Sequence, residues 1–526
     1  MKNSLGVSLD MELGRKSLFA LTVFFLNLFA VFASPAQSGD PLSAYYSQQN
    51  DRIFWLIQVT DIHIGTSGTQ DSDNLRWIVE DAKNIIDPAF IVASGDLTDS
   101  TDGGNDLSVP DGPHQIEWDE YRSILDTAGM DAGFYYDMPG NHDAYNDKTF
   151  SYYLANSVQG LATGQTQVSW TREFSFGKYH FLGVNTAGNT GEPFQISFPY
   201  GDPAGLDESE LTFINDRLAA NQDADLTFIF GHHPLFDTGV FTDTWLLYGQ
   251  QEFVGYMDSY GISLYGYGHT HELKRSVFSG NDYTGYMQGD GVYYFNTASL
   301  GKSSENQYSI IAVDCNGIST TTQKVDTWPV VLITAPLGMN FGQDVSPYAY
   351  GVPNLETNPL RALVFDKNVI ESVNYEIDGS GDWYPMNIVS GNSRLYEALW
   401  DASSLGEGSH TIKVQANSPS GIGTSIIQIK TDPSIIYVSS SGSCGTKQPC
   451  LVSIQDAIFL AGPSSTILIA EGIYSEPITL NASKSLTLIG GWDTAFANQA
   501  GVTILRNAPG VQQGSITLQS LSIKPE

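Results

Sequence analysis

The 526-residue sequence predicts a multidomain chain in which an α/β layered domain is followed by two all-β modules, and three observations carry that expectation. Between residues 51 and about 325, short apolar runs alternate with helical patterns, as in a sheet covered by helices. From Trp328 to about Lys430 the pattern turns to short alternating segments separated by turn residues, which reads as a β-sandwich. After residue 434, apolar strands recur at intervals of roughly 15–20 residues with Gly and Asn or Ser between them, as in the stacked coils of a parallel β-helix. The expected divisions are 1–36 for a signal segment, 50–327 for the α/β domain, 328–432 for the sandwich and 433–526 for the β-helix-like segment.

In the first domain, residues 53–59, 90–93, 134–136, 226–230 and 262–267 read as strands. Between the first two strands, Leu75, Ile78, Val79, Ala82, Ile85 and Ile86 recur at helical spacing. Leu211, Ile214 and Leu218 do the same behind Asp207 and Glu210, whose spacing suits a capping box. In the sandwich, residues 330–334, 361–365, 373–377, 410–416 and 424–429 are the expected strands. In the last segment they are 467–469, 486–489, 502–505 and 516–518.

Composition limits what such a chain can bind. It carries 24 Lys and Arg against 58 Asp and Glu, for a formal net charge of -34. Nucleic-acid polymers are held by Lys and Arg tracks, so the charge speaks against that class of partner. An anionic substrate needs positive charge from elsewhere. With 41% hydrophobic and 12% aromatic residues, the acidity does not imply disorder.

Arg15 and Lys16 precede an apolar run over residues 18–32 and the small residues Ala33, Ser34 and Ala36. This is the anatomy of a signal peptide, and the run is short of the roughly 20 residues that span a bilayer. The expectation is an exported protein, periplasmic, on the cell surface or extracellular, with no transmembrane helix in the mature chain. An exported chain can keep a disulfide between the neighbouring Cys444 and Cys450, whereas Cys315, behind an apolar strand, reads as a buried inert thiol.

The chemistry lies in the polar residues at the end of each strand of the first domain. Asp61-Ile62-His63 follows the first, Gly95-Asp96 the second and Gly140-Asn141-His142-Asp143 the third; Gly231-His232-His233-Pro234 and Gly268-His269-Thr270-His271 follow the last two. Ligand sites gather at the carboxyl ends of strands in α/β sheets, so these five clusters converge on one edge. Each alone is an ordinary turn. Five in order, each behind its own strand, are not. Carboxylate, imidazole and amide donors without cysteine suit Mn, Fe or Zn. Asp61, His63, Asp96, Asn141, His232, His269 and His271 are too many for one tetrahedral ion, and with one carboxylate shared they can hold two divalent metals roughly 3.5–4 Å apart. His233 is expected to point away from the centre, as alternate residues of an extended segment do.

In these five segments the sequence resembles the calcineurin-like metallophosphoesterase superfamily, over roughly residues 50–325. The resemblance implies a four-layer α/β/β/α sandwich and a dinuclear centre. It implies that Asp61, His63 and His271 hold one metal, that Asn141, His232 and His269 hold the other, and that Asp96 bridges. It further implies that a metal-bridging hydroxide attacks a phosphate monoester or diester, Asp96 and Asn141 positioning the centre and His142 contacting phosphate and assisting the leaving group. Where the purple acid phosphatase branch has a tyrosine ligand, this sequence has Asp99, which suits either a carboxylate orienting a metal-bound histidine or a helix or turn cap. A nearer resemblance is to the group around transmembrane protein 62, carried by Ile53-Phe54-Trp55-Leu56-Ile57-Gln58, the segment from Ser94 to Asp99, and Glu117-Trp118 with Tyr121. That group implies an immunoglobulin-like domain after the phosphoesterase. Tyr437-Val438-Ser439 and the run from Ala470 to Tyr474 resemble the first coils of pectin-lyase-like β-helices.

Two functions stand as expectations. One is an exported phosphoesterase acting on small phosphate esters, with a cell-surface or glycan contact through the C-terminal β modules. The alternative is a surface-binding or adhesion protein in which those modules dominate and the metal site is structural or vestigial.

Overall fold

The computed structural model describes residues 53–525 apart from 67–69, 101–111, 189–203, 237–245, 279–290, 303–305, 350, 353–357, 407, 432–434, 446, 448–449 and 463–464. The expected signal segment therefore lies outside the described residues.

Two sheets face each other in the first domain. One has the order β11-β10-β1-β2-β3, from β1 (Ile53–Val59), β2 (Ile91–Ser94), β3 (Tyr135–Met138), β10 (Gln307–Asp314) and β11 (Gly317–Lys324). The other has the order β4-β5-β6-β7-β9-β8, from β4 (Val168–Phe174), β5 (Gly177–Gly183), β6 (Leu226–Phe230), β7 (Leu264–Tyr267), β8 (Lys274–Phe278) and β9 (Val292–Asn296). β1, β2 and β3 run parallel, as do β5, β6, β7 and β9. Phe54, Leu56, Val92 and Tyr136 of the first sheet share a core with Phe181, Phe228, Leu264 and Phe295 of the second. Each outer face is covered by helices. Trp55, Ile57 and Ile91 pack with Leu75, Ile78 and Trp118, while Ile229 and Tyr265 pack with Ile214, Leu218, Phe253 and Met257. The result is the α/β/β/α order that the sequence implies. Strands buried on both faces read as continuous apolar runs, which is why IFWLIQV shows no alternation.

The helices form where their spacing predicts. The first runs over Gln70–Trp77, widens to a π turn at Ile78–Ala82 and closes over Lys83–Ile86. Helix Glu208–Ala220 begins with the predicted capping box: Asp207 accepts from the Glu210 N–H, and the Glu210 carboxylate accepts from the Asp207 N–H. Two orphan donors are satisfied together, which sets the start of the helix.

After β12 (Val330–Ala335) come the short hairpin strands β13 (Asn340–Phe341) and β14 (Asp344–Val345). β12 belongs to a four-stranded sheet with Asn358–Phe365, Asn392–Trp400 and Asn387–Val389. A five-stranded sheet that includes Ser372–Ile377, Gly408–Ser418 and Gly421–Thr431 faces it across a core of Val331, Ile333, Val364, Tyr375, Val414 and Ile429. The final region stacks Ile435–Val438, Thr466–Ala470, Thr479–Trp492 and Gly510–Gln519 as parallel neighbours, with Ile436 opposite Ile467, Ile467 opposite Leu488 and Leu488 opposite Leu518. Cys444 and Cys450 form a disulfide, and Cys315 is buried. No helix among the described residues is long and apolar enough to cross a membrane.

Candidate metal centre

The five predicted clusters meet at the carboxyl ends of β1, β2, β3, β6 and β7. Backbone hydrogen bonds lock the loops to one another. The Asp61 N–H donates to the Gly95 carbonyl at 3.0 Å, and the Ile62 and His63 N–H groups both donate to the Asp96 carbonyl at 2.9 Å. Asp143 is buried and ties the third loop to the second, its carboxylate accepting from the N–H groups of Leu97, Thr98 and Gly140. Gly268 is needed because a Cβ there would lie 1.9 Å from Thr60 Oγ1.

Asp61, His63 and His271 bring one ligand atom each within 4.8 Å of one another, and Asp61, Asp96 and His232 do the same. Asp96 thus sits between two groups. Neighbouring donors are 3.2–3.5 Å apart: His63 Nε2 to His271 Nε2 at 3.2 Å, His232 Nε2 to Asp96 Oδ2 at 3.2 Å, His271 Nε2 to Asp61 Oδ1 at 3.3 Å and His63 Nε2 to Asp96 Oδ2 at 3.5 Å. Donors bound at about 2.1 Å to one ion, a tetrahedral angle apart, are roughly 3.4 Å from each other. Asn141 Oδ1 is 3.0 Å from His269 Nδ1, and its amide nitrogen donates to the Tyr145 hydroxyl at 2.9 Å.

Tautomers agree with the spacing. His63 Nδ1 lies 2.9 Å from Asp99 Oδ1 and His232 Nδ1 lies 2.9 Å from the Ser94 carbonyl, so each δ nitrogen carries the proton and each Nε2 presents a lone pair to the centre. His232 Nε2 is buried with no hydrogen-bond partner, although it is close to Asp96. A buried orphan nitrogen beside a carboxylate is the arrangement expected of a metal ligand. Electrostatics point the same way. Burial pulls the His232 imidazole down, but the neighbouring Asp96 carboxylate outweighs it and holds the group up at about 9, so Nε2 keeps a proton until a cation takes that proton's place beside Asp96. Burial raises the Asp61 carboxyl while His271 draws it down, and His271 prevails, to about 2. Two buried carboxylates here demand positive charge, and the donor set fits a pair of divalent cations.

Asp99 receives His63 on one side and Lys302 on the other, the Lys302 Nζ standing 2.8 Å from Asp99 Oδ1. It therefore orients His63, the first of the two roles open to it in the sequence. His142 is partly exposed; its Nδ1 is hydrogen-bonded to the Asp99 carbonyl, which leaves Nε2 facing the centre, 3.9 Å from Asp96 Oδ2.

His233 departs from expectation. Its ring lies 4.6 Å from that of His269 and 4.9 Å from that of His232, and the three offer ligand atoms within 4.8 Å of one another. Alternation holds only in extended chain, and β6 has ended at Phe230. The His232 and His233 N–H groups both donate to Thr186 Oγ1, bending the chain so that the two rings stay together.

A sixth strand-end loop had no metal-like residue to announce it. After β9, Ser299 Oγ and the Gly301 N–H both donate to the Asp61 carbonyl at 3.0 Å, and Lys302 reaches Asp99. A Cβ at Gly301 would stand 1.8 Å from the Ile62 carbonyl oxygen. The available signal was an apolar strand followed by Gly-Lys, the strand-then-glycine arrangement of the other loops.

Residues 54–273 match the family model for calcineurin-like phosphoesterases. Over 394 residues the chain is 27% identical to transmembrane protein 62 of Mus musculus, covering 74% of this chain and 56% of that protein. Over 248 residues it is 27% identical to a candidate metallophosphoesterase of Arabidopsis thaliana, covering 43% of this chain and 31% of that protein. Neither relative is matched over two thirds of its own length. A crystal structure of a dimetal phosphatase from Danio rerio aligns with a TM-score of 0.40 and 13% identity, over 52% of this chain and 97% of that one.

Proposed function

We propose that this chain, whose residues 54–273 match the family model for calcineurin-like phosphoesterases, is a metal-dependent hydrolase of small phosphate esters. Asp61, His63 and His271 would hold one divalent ion, Asn141, His232 and His269 would hold the other, and Asp96 would be shared between them. The observation that carries the reading is the convergence of lone pairs: His63 Nε2, His271 Nε2, His232 Nε2 and Asp96 Oδ2 stand 3.2–3.5 Å from their neighbours, with His232 Nε2 buried and unpartnered. Bound there, two cations would supply the positive charge that the composition lacks and would lower the pKa of a water toward neutrality.

The protein's own groups do the rest. Asp99 fixes the His63 ring, and the Asp99 carbonyl accepts the His142 Nδ1 proton and leaves Nε2 toward the centre, where the imidazolium form binds a phosphoryl oxygen and passes its Nε2 proton to the departing alcohol. Asn141 positions without exchanging protons. The region over 50–327 carries the chemistry, and the all-β regions over 328–432 and 433–526 are accessory. Export is part of the proposal; it rests on Arg15, Lys16 and the apolar run after them.

The test is metal content together with hydrolysis of p-nitrophenyl phosphate and bis(p-nitrophenyl) phosphate in the presence of Mn, Fe or Zn. Two equivalents of metal with turnover are expected. Asp96→Asn should lower bound metal below two equivalents and reduce turnover by about a hundredfold or more. A wild-type protein that takes up no metal and hydrolyses neither ester contradicts the reading.

A further inference from the structure

The loop after β3 holds a third side chain beside its two expected site residues. Asn141 leads into a single 3₁₀ turn, His142–Ala144, and Tyr145 closes it. Side chains at i and i+3 eclipse in such a turn, so Tyr145 comes to lie against His142. Their ring centres are 4.6 Å apart. The phenol also reaches back to the residue before the turn, its hydroxyl oxygen accepting from Asn141 Nδ2 at 2.9 Å. Tyr145 is 4% exposed, yet among the described residues it belongs to none of the apolar cores. A large side chain buried against two polar residues of the centre, and not in a core, has its reason in the centre.

An asparagine can turn either end of its amide toward an ion, and only one end can bind it. The carbonyl oxygen has lone pairs to give, whereas the NH2 group offers donors alone. The two ends exchange by a half-turn of χ2, so the inward end is held by what the other end meets. At Asn141 the nitrogen meets the Tyr145 hydroxyl, and Oδ1 stands on the inner side, 3.0 Å from His269 Nδ1. Oxygen and imidazole are the two donors that one ion would share with His232.

Resting on the phosphoesterase reading, we propose that Tyr145 is a positioning residue of the metal centre, its hydroxyl holding the Asn141 amide with the oxygen turned toward the ion. Ligand, acid and positioning group then lie within one short segment, Asn-His-Asp-Ala-Tyr, from Asn141 to Tyr145. The 3₁₀ turn is what makes that spacing work, because it brings both ends of the segment to the same side.

Calorimetric titration of the full chain with manganese tests it, and needs no turnover. The wild-type protein should bind two ions. Tyr145→Phe keeps the ring against His142 and removes the hydroxyl; it should weaken one ion about tenfold and leave the other within about twofold. Asn141→Asp carries an oxygen at both ends, so on that background the same change should weaken binding by no more than about threefold. A general loosening of the loop would instead cost the same on both backgrounds. Tyr145→Leu also lacks the hydroxyl and serves if the Phe variant is unfolded by circular dichroism. Unchanged affinities without the hydroxyl, equal losses for both ions, or equal losses on both backgrounds overturn the positioning role and leave the phosphoesterase reading standing. A folded wild-type protein that takes up no manganese, iron or zinc contradicts that reading and the positioning role together.

Discussion

At the scale of single residues, five of the seven expected ligands adopt a backbone that side chains ordinarily avoid. Asp61, His63, Asp96, His269 and His271 have φ between +49° and +70°. Left-handed residues cost roughly 1–2 kcal/mol each and persist only where the surroundings over-determine them. Here the bonds to Gly95, Asp96 and Asp61 do so. That these residues would meet at one place was legible in the sequence, because each follows its own apolar strand. Their partners were not legible, since Lys302 lies about 200 residues from Asp99 and no periodicity links them. Asp99→Asn keeps the shape and removes the charge that holds His63 and Lys302; metal affinity, read by competition with a chelator, should fall about 10–100-fold. Glu117 gives a pH test. Burial raises its carboxyl to about 7, against the Ser100 N–H, which draws it down. The folded state thus keeps a proton that the unfolded state, at 4.5, gives up, so this group's stabilisation is full below about 4.5 and is lost as pH rises through about 7. Glu117→Gln has no such slope. Its thermal midpoint minus that of the wild type should increase between about pH 5 and about pH 8, and a flat difference would count against the assignment.

At the scale of elements, strands and caps were legible where the signal is local. The Asp207–Glu210 box needs only four residues, and β1 and β6 begin and end where their apolar runs do. The bend that returns His233 to the centre depends on Thr186, on another strand end, so the alternation rule failed there for a tertiary reason. The π turn at Ile78–Ala82 left no mark in the spacing of apolar residues. The loop after β9 escaped because its work is done by backbone. Gly301→Ala tests that loop: the Ile62 carbonyl cannot retreat without dragging Asp61 and His63, so a loss of about 2 kcal/mol or more is expected. A joint measurement of thermal midpoint and metal stoichiometry checks it, and both should drop.

At the scale of the whole molecule, the three regions share cores. Val330, Leu332, Leu363, Phe365 and Leu395 pack into the cluster that holds Trp55 and Ile57, and Cys315 and Ala335 join the core of the final region. β12 announces this in its sequence, VVLITA, which is apolar on both faces and buried throughout. Division by pattern at residue 328 missed it, because periodicity says that a face is buried and not which element buries it. A buried ion pair also crosses that line: Arg361 Nε stands 3.0 Å from Asp314 Oδ2, which accepts from Thr334 Oγ1 at 2.7 Å. Arg361→Leu leaves the Asp314 charge buried and should cost about 3–5 kcal/mol, and adding Asp314→Leu should restore part of it. Denaturant titration of the single and double variants measures both terms. The pairing of β1 with β10 has a consequence in time. Ile53 pairs with Asp314, about 260 residues later. At roughly 5–20 residues per second of synthesis, the edge of IFWLIQV waits roughly 13–50 s for its neighbour. Throughout that interval one of the most apolar strands of the nascent chain has an open edge, the kind of edge on which another chain can pair until its own neighbour arrives.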